Sequence, residues 1–435
     1  MRAAFSLVLL SALVASCSQD SDLFKQLVPS SADHSQGQDK ADSQPGFPAR
    51  GDADLSQPGG KRSLSAGEHH SCVLSDGAVH CWGYGLAGQL GQGDSQNQAE
   101  PVFVEALGLD NIAVASGDLH TCAIKVSGEV YCWGYNQTGA VGNGKSGREY
   151  AFSGQAKGNN VTQPARVQGL NGVSIMQVAA TKTTTCALAQ SGDVYCWGSG
   201  SSYELGDGQM ESLQNRYNHH TGVAQKVTVL TEKARSIHAG DQAFCAVMVS
   251  NRISCWGKLT LPTEKDYPVV DLSSGRSTLS LTMADQHACF ITDENELYCI
   301  GDNWYQQTGL SSVVSAWTRV DGESFTRIST ARKTTCGITP TRTVRCWGVC
   351  LHGLCGTHFA AKLVSPTQAQ NVFAYTTQKS IEIEGISGAV EISVGARHAC
   401  ALLDSGTIRC WGNGFLGELG HGESHSSAEP LAVNL

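Results

Sequence analysis

The sequence lacks the patterns on which most enzymes and nucleic-acid-binding proteins depend. It has no run of lysines or arginines, and its formal net charge of -9 disfavours a nucleic-acid partner. No Ser-His-Asp order and no carboxylate pair stands out along the chain. The glycine-rich stretches YGLAGQLGQG and GFLGELGHG lack the lysine and the strand-to-helix context of a phosphate-binding loop. We therefore expect a protein without catalytic residues, cofactor or metal.

Close C-x-x-C pairs are also absent, although the chain has 17 cysteines. This absence disfavours structural zinc and thiol-oxidoreductase chemistry, which usually place two cysteines at that spacing. Cysteines instead recur in pairs separated by nine or ten residues, within a phrase best seen in TCAIKVSGEVYCWG. The seven pairs are Cys72 and Cys81, Cys122 and Cys132, Cys186 and Cys196, Cys245 and Cys255, Cys289 and Cys299, Cys336 and Cys346, and Cys400 and Cys410.

The spacing of these pairs predicts β-hairpins closed by disulfides. Cys72 and Cys81 face each other if Asp76 and Gly77 form a two-residue type I′ turn. A separation of ten requires a three-residue loop whose last position is left-handed, where glycine or asparagine fits best. Five of the other six hairpins have such a residue there, and the sixth has Arg342: Gly128, Gly192, Asn251, Asn295 and Gly406 are the five. A zinc site remains the less favoured alternative.

Three cysteines lie outside these hairpins. Cys350 and Cys355 lie in CWGVCLHGLCG, and we pair them as an eighth, loop-local disulfide, with a redox-active pair as the alternative. Cys17 ends the stretch Val14-Ala15-Ser16-Cys17, which resembles a bacterial lipobox and follows a short apolar run after Arg2. That resemblance predicts a signal peptide over residues 1–17 and lipid attachment at Cys17. An ordinary secretory signal is the alternative.

The predicted lipoprotein signal implies a place for the protein in the cell envelope. Disulfides form in oxidising compartments, in agreement with export. Ser18 rather than aspartate follows Cys17, which favours the outer membrane, on its periplasmic side or at the cell surface. Residues 18–60 are rich in Ser, Asp, Gln, Gly and Pro, and are predicted to form a disordered tether with a root-mean-square reach of roughly 35 to 40 Å.

The region 61–435 repeats the hairpin phrase with further alternating segments. Segments such as EPVFVEAL precede several of the units, and seven units of three or four short strands predict an all-β, seven-bladed β-propeller. The chain ends with an unassigned strand, AEPLAVNL, whereas its first unit lacks an EP-type strand. We therefore predict that the C-terminal strand pairs with the N-terminal blade and closes the ring.

The repeat H-T-C-A-L, G-x-V-Y-C-W-G and N-x-x-G-Q-L-G resembles the repeats of the regulator of chromosome condensation family. The resemblance covers nearly all of 61–435 and implies a seven-bladed propeller. Cysteines at both hairpin positions are similar to those of secreted bacterial members. Departures from the pattern include Ile300 in place of tryptophan, Ala284 and Ala331 in place of glycine, and a fourth unit without the G-Q-L-G element.

Recurrent aromatic residues are interpreted as structural rather than chemical. Six tryptophans directly follow a hairpin cysteine, which predicts packing between sheets rather than a ring of ligand contacts. Histidines recur two residues before the first cysteine, at His70, His120, His287 and His398. We predict that they are partly buried and bond to backbone, because three units have threonine or alanine there; a metal ring or a general base is the alternative.

Three insertions at equivalent places, 145–162, 209–224 and 357–384, are expected to emerge on one face. Loops on a rigid scaffold often bind partners, so we predict a non-enzymatic scaffold that is monomeric and binds a protein or, less favourably, a glycan. Guanine nucleotide exchange, implied by the family's nuclear member, and a purely structural envelope role are the alternatives. The predicted contact residues are Arg148, Tyr150, Phe152, Arg216, Tyr217, His219, Phe359, Phe373 and Tyr375.

Overall fold

The computed structural model describes residues 62–146, 159–209, 219–259, 261, 265–357 and 376–435. In these residues, 28 β-strands form seven four-stranded antiparallel sheets, each with its strands in chain order. The all-β, seven-bladed prediction is therefore confirmed. Helical structure in this part of the chain is limited to the 3-10 turns Glu105–Leu107 and Leu351–Gly353, and none of it is long and apolar enough to cross a membrane.

Each blade contains four consecutive strands. Blades 1 to 3 consist of β1 (Arg62–Ala66), β2 (His70–Ser75), β3 (Ala78–Gly83) and β4 (Gln98–Phe103); β5 (Asn111–Ser116), β6 (His120–Lys125), β7 (Val130–Gly134) and β8 (Val161–Arg166); and β9 (Ile175–Ala180), β10 (Thr184–Ala189), β11 (Val194–Ser199) and β12 (His220–Lys226). Blades 4 and 5 consist of β13 (Ala234–Ala239), β14 (Ala243–Met248), β15 (Ile253–Leu259) and β16 (Lys265–Asp271); and β17 (Ser280–Met283), β18 (His287–Ile291), β19 (Glu296–Gly301) and β20 (Val314–Ser324). Blades 6 and 7 consist of β21 (Arg327–Ala331), β22 (Thr334–Ile338), β23 (Val344–Val349) and β24 (Thr376–Glu382); and β25 (Ala389–Val394), β26 (His398–Leu403), β27 (Ile408–Gly412) and β28 (Ser427–Ala432).

The C-terminal strand belongs to the last blade, so the predicted pairing with the N-terminal blade is wrong. Strand β28 pairs with β27, with Cys410 opposite Leu431, and blade 1 has its own fourth strand, β4, paired with β3. The prediction had assigned each EP-type segment to the blade that follows it. In the structure, the connection after the third strand instead returns the chain to the outer edge of the same sheet. Blade 1 therefore contains its own fourth strand, and the C-terminal strand is the fourth strand of blade 7.

The seam between blades 7 and 1 is held by packing and isolated hydrogen bonds rather than by a shared strand. The Trp82 indole donates to the Glu418 carbonyl at 2.8 Å, and the Gly422 N–H donates to the Ala99 carbonyl at 3.0 Å. Val433 packs in one buried cluster with Leu64 and Trp82. The C-terminal segment therefore helps to close the ring through side chains.

The seven hairpin disulfides are confirmed. In each hairpin the two cysteines lie directly opposite each other, as Cys122 and Cys132 do, with Cα atoms 4.0–4.1 Å apart. Arg342 has a φ of 61°, so it takes the left-handed position that glycine or asparagine fills elsewhere. Cys350 and Cys355 also form a disulfide, with a Cα separation of 5.0 Å.

The first strands of the blades form the innermost layer and bond to one another through short hydroxyl side chains. The Ser65 hydroxyl accepts the Ser116 N–H at 2.8 Å, and Ser393 accepts the Ala66 N–H at 2.9 Å. The fourth strands lie at the outer edges and are only partly buried, as the pattern of β4 shows. Burial is therefore greatest toward the axis and between neighbouring sheets.

The tryptophans that follow hairpin cysteines pack between sheets, as predicted. All six are at most 1% exposed: Trp82, Trp133, Trp197, Trp256, Trp347 and Trp411. The Trp133 and Trp197 indoles also donate to backbone carbonyls of the preceding blade, those of Gln89 and Ala140, at 2.8 Å each. These tryptophans therefore fix neighbouring blades by buried area, and within the described residues all of them except Trp347 also donate a hydrogen bond across the blade boundary.

The recurrent histidines are fully buried and bond to side chains of the next blade, which corrects the prediction of partly buried rings bonded to backbone. His120 Nε2 lies 2.8 Å from the Thr185 hydroxyl, and that hydroxyl donates to the Ala140 carbonyl at 2.9 Å. Because the single hydroxyl proton goes to the carbonyl, His120 Nε2 carries the proton it donates to Thr185. His70, His287 and His398 make the same contact with Thr121, Thr335 and Ser71.

Candidate binding face

Two kinds of connection share one face of the propeller, which we call the connection face. They are the turns between the first and second strands and the segments between the third and fourth strands of each blade. Backbone bonds join them: Tyr84 N–H donates to the His69 carbonyl at 2.8 Å and Asn413 N–H donates to the Arg397 carbonyl at 2.8 Å. The hairpin turns between second and third strands lie on the opposite face, which we call the hairpin face.

A shallow depression lies where the first-to-second-strand turns meet near the axis. Its charged lining residues are mostly acidic: Glu68, Asp118, Asp241, Asp285 and Arg332. Arg332 forms an ion pair with Glu68 from another blade. Burial, together with the nearby Arg397, lowers the pKa of Arg332 below its usual range. Charged side chains therefore line the depression and pair with one another there, and it has no apolar pocket for a small ligand.

Exposed apolar side chains lie on the same face, in the third-to-fourth-strand connections. Trp304, Phe415 and Leu86 are 71%, 62% and 53% exposed. Each lies three residues after the glycine that ends the third strand of its blade, and Leu351 has the same position in blade 6. These four residues, of which Leu351 is partly buried, come from the consecutive blades 5, 6, 7 and 1, and we call them the apolar arc. Blades 2 and 3 have Gln137 and Ser201 at this position.

The turn that carries the apolar arc is held by a buried polar side chain. Glu418 Oε2 accepts the Leu416 N–H at 2.8 Å, and Gln89 Oε1 accepts the Ala87 N–H at 2.9 Å. Gln307 makes the equivalent bond in blade 5. Gly417 has a φ of +87°, and a Cβ there would meet the Gln98 carbonyl of blade 1 at 2.6 Å. The backbone beneath the arc is therefore fixed, so its side chains are presented without an ordering cost for the turn.

The three insertions all join a third strand to a fourth strand, which places their ends on the connection face. Eight of the nine predicted contact residues lie outside the described residues: Arg148, Tyr150, Phe152, Arg216, Tyr217, Phe359, Phe373 and Tyr375. His219 is described, and its Nε2 lies 2.9 Å from Asp207 Oδ2 while Nδ1 lies 3.1 Å from the Gly200 carbonyl. Its ring is therefore engaged within its own blade.

The apolar arc was not among the predicted contact residues. The signal that could have found it is positional: large apolar residues recur three places after the W-G or I-G step in four of the repeats. The predicted contact residues follow from what the repeats share and from where they are lengthened. A residue type that recurs in only some repeats, at a position exposed by the turn, belongs to neither feature.

Comparisons with known proteins identify the repeat. Two family models described as the regulator of chromosome condensation (RCC1) repeat match residues 76–124 and 127–188, and 112–140, 175–204 and 389–418. The ultraviolet-B receptor UVR8 of Arabidopsis thaliana is 26% identical over 378 residues, covering 83% of this chain and 79% of that protein. The E3 ubiquitin-protein ligase HERC2 of Homo sapiens is 30% identical over 259 residues, covering 56% of this chain but 5% of that protein.

Solved structures share the fold at lower identity. Prp20p from Saccharomyces cerevisiae superimposes with a TM-score of 0.66 at 18% identity, covering 82% of this chain and 86% of that one. Yeast RCC1 (Prp20) bound to Kap60 gives a TM-score of 0.68 at 16% identity, covering 94% of this chain and 91% of that one. At these identities the likeness shows the propeller fold alone.

Proposed function

The chain belongs to the RCC1 repeat family, and from that premise we propose that it is a non-enzymatic propeller that binds a protein partner through its connection face. The observation that carries the proposal is the apolar arc. A chain that buries its six hairpin tryptophans exposes Trp304, Phe415 and Leu86 on one face, at one repeated position. Aromatic and large apolar residues on rigid turns are typical anchors of protein interfaces.

Structures of the same fold agree with a binding role. The structure of Prp20p is described together with its binding properties to Gsp1p and histones, and yeast RCC1 was solved bound to Kap60. These proteins illustrate that such a propeller can present a protein-binding surface. For this chain we propose a protein partner that covers the apolar arc, because burying exposed apolar side chains contributes favourable binding free energy. The partner also reaches the acidic side chains that line the axial depression.

We also propose that the protein is a lipid-anchored envelope protein. Eight disulfides in the described residues favour an oxidising compartment, and Cys17, which lies outside those residues, ends a lipobox-like stretch. An envelope location disfavours guanine nucleotide exchange on a cytosolic partner, which is why exchange remains the second candidate.

Cells fed a radiolabelled fatty acid should incorporate the label into the wild-type chain, and Cys17→Ser should abolish that incorporation. The expected reason is that the Cys17 thiol and the amine freed by cleavage carry the acyl chains. Membrane fractionation of the two forms measures the same effect independently. Equal labelling of both forms, or recovery of the wild-type chain in the cytosolic fraction, would contradict the anchor.

Replacing the exposed arc residues should remove partner capture. The variant Leu86→Ser, Trp304→Ser, Phe415→Ser is expected to reduce crosslinked partner recovered from intact cells by at least about 30-fold, the effect of losing one interface hot spot of about 2 kcal/mol. The matched control is Leu109→Ser, Val126→Ser, Val249→Ser, whose side chains are 68%, 69% and 68% exposed on the hairpin face. The control should capture the partner as the wild type does.

A third form, with the three insertions deleted, separates the arc from the insertions. Capture that survives the deletion but not the arc substitutions supports the arc as the anchor. Capture that survives the arc substitutions, with circular dichroism showing a folded protein, would overturn the proposed face.

A further inference from the structure

A group of potential metal ligands lies in the third-to-fourth-strand connection of blade 7. One ligand atom from each of His421, Glu423 and His425 lies within 4.8 Å of the other two. His425 Nδ1 is 3.1 Å from Glu423 Oε2, and the two imidazole centroids are 4.7 Å apart with the rings nearly perpendicular. The H-x-E-x-H pattern is not among the sequence-based predictions, because its histidines fall outside the recurrent position.

Within the described part of the chain, no hydrogen bond accounts for the position of the His421 ring. Both of its ring nitrogens are shielded from solvent and have no hydrogen-bond partner there. A neutral imidazole carries one nitrogen lone pair, and no hydrogen bond within the described residues uses that of His421. A shielded imidazole with an unused lone pair next to another imidazole and a carboxylate is the donor set that zinc prefers.

The backbone of this connection is fixed. The Gly422 N–H donates to the Ala99 carbonyl at 3.0 Å, and the Asn434 side chain donates to the His421 carbonyl at 3.1 Å. Gly420 and Gly422 have φ values of 67° and 96°, which favour glycine. Asn434 also reaches the Glu100 carboxylate at 3.4 Å, which brings a second negative charge close to the loop.

In blade 3, the residues at the positions of His421 and His425 form a hydrogen bond with each other. Asp207 follows the E-L-G sequence of its blade as His421 follows that of blade 7, and Asp207 and His219 close a direct bond of 2.9 Å. Blade 7 has histidines at both corresponding places, His421 and His425, and their rings meet edge to face without such a bond. The bond that explains this pair of side chains in blade 3 is therefore missing in blade 7, and the ring nitrogens there are left for another ligand.

We propose that His421, Glu423 and His425 bind one zinc ion, with the fourth coordination position open. Zinc–ligand distances of about 2.0–2.2 Å place tetrahedral donors about 3.3 Å apart, so the three atoms need to approach by at most about 1.5 Å. Side-chain rotation can supply this, because Glu423 and His425 are 73% and 51% exposed. The site lies in the same third-to-fourth-strand connection of blade 7 as Phe415, on the face where we place the partner, although zinc binding does not depend on that partner.

The test is zinc binding to the full, disulfide-bonded chain, by competition with a chromophoric zinc chelator. Wild type is expected to bind one zinc per chain, and His425→Ala to bind it at least about 100-fold more weakly, because one of three ligands is lost. Glu423→Gln, which keeps the side-chain shape, is expected to weaken binding by about 10-fold or more. The matched control His219→Ala should bind as the wild type does.

A second readout is the thermal unfolding midpoint, which zinc should raise for the wild type but not for His425→Ala. The two metal-free forms should unfold at the same temperature, which shows that the substitution leaves the fold intact. Wild type that binds no zinc, or His425→Ala that binds zinc as tightly as wild type, would overturn the proposal.

Discussion

Reduction of the disulfides is expected to leave the propeller unable to fold. Each of the seven hairpin bonds, with a sequence separation of nine or ten, closes a small ring. The loop-entropy relation gives each ring about 2.5 to 3 kcal/mol of stabilisation, acting mainly on the unfolded chain. Whole domains are stable by about 5 to 15 kcal/mol, so the loss of four to six such bonds is enough to cancel the folding free energy.

Because the hairpin cysteines are at most 1% exposed, reductant must be added while the chain is unfolded. The chain is unfolded in denaturant, with or without reductant, and the denaturant is then diluted. Tryptophan emission reports refolding, since six tryptophans are buried in the native protein. The reduced chain should keep the emission of exposed tryptophan, and the oxidised chain should recover the native spectrum.

The matched control is Cys350→Ala with Cys355→Ala, which removes only the loop-local bond with its separation of five. It should refold with the native emission and a modestly lowered midpoint of denaturation, because its ring is smaller than those of the hairpins. A fully reduced chain that refolds to the native emission with the midpoint of the oxidised chain would contradict the prediction.

The hairpins could be predicted from the sequence because turn chemistry and cysteine spacing report the same local geometry. Asn251, Asn295 and Arg342 all have positive φ. Each is the last residue of a three-residue loop between opposed cysteines, and such a loop places that residue in the left-handed region. Such local constraints need no knowledge of the rest of the fold. The number of repeats then gives the number of blades, because one four-stranded sheet cannot bury both of its faces alone.

Contacts between blades could not be predicted in the same way. Whether an EP-type segment ends one sheet or begins the next depends on the path of the connection after the glycine-rich element, which alternation alone does not specify. The partner of His120 is Thr185, 65 residues away, and neither residue indicates the other in the sequence. The apolar arc likewise becomes a surface only after four blades lie side by side.

The eight predicted contact residues in the insertions lie outside the described residues and stay predictions. The described structure adds to them a rigid surface beside the ends of those insertions. The two features are complementary, because Trp304 and Phe415 come from blades 5 and 7 whereas the insertions lie in blades 2, 3 and 6. A partner that engages both would span much of the connection face.

Acidification is expected to destabilise the propeller through its buried histidines. Burial lowers the pKa of His70 and His238 to about 3 and that of His120 and His398 to about 4, from an ordinary value near 6.5. Below pH 6.5 the unfolded chain therefore binds more protons than the folded chain, so stability falls as the pH falls. The loss begins near pH 6.5 and continues until the folded-state pKa values of about 3 to 4 are reached.

The size of the effect at pH 5 depends little on the exact folded-state values, because all four lie below that pH. Each histidine costs about 2 kcal/mol between pH 7 and pH 5, or about 8 kcal/mol in all. Glu391 acts in the opposite direction, since burial raises its pKa to about 8, and its protonation returns about 3 kcal/mol over the same range. A net loss of about 5 kcal/mol is comparable to the whole stability of many domains.

The variant His120→Thr tests this account, because the chain itself has threonine at this position in blades 3 and 6, as Thr184 and Thr334. At pH 7 the variant should be less stable than the wild type, because the bond to Thr185 is lost. Its further loss of unfolding free energy from pH 7 to pH 5 should be smaller than that of the wild type by about 2 kcal/mol, measured by urea denaturation at each pH. An equal pH dependence in the two proteins would show that His120 is not neutral in the folded state, and the acid sensitivity would then have to come from other groups.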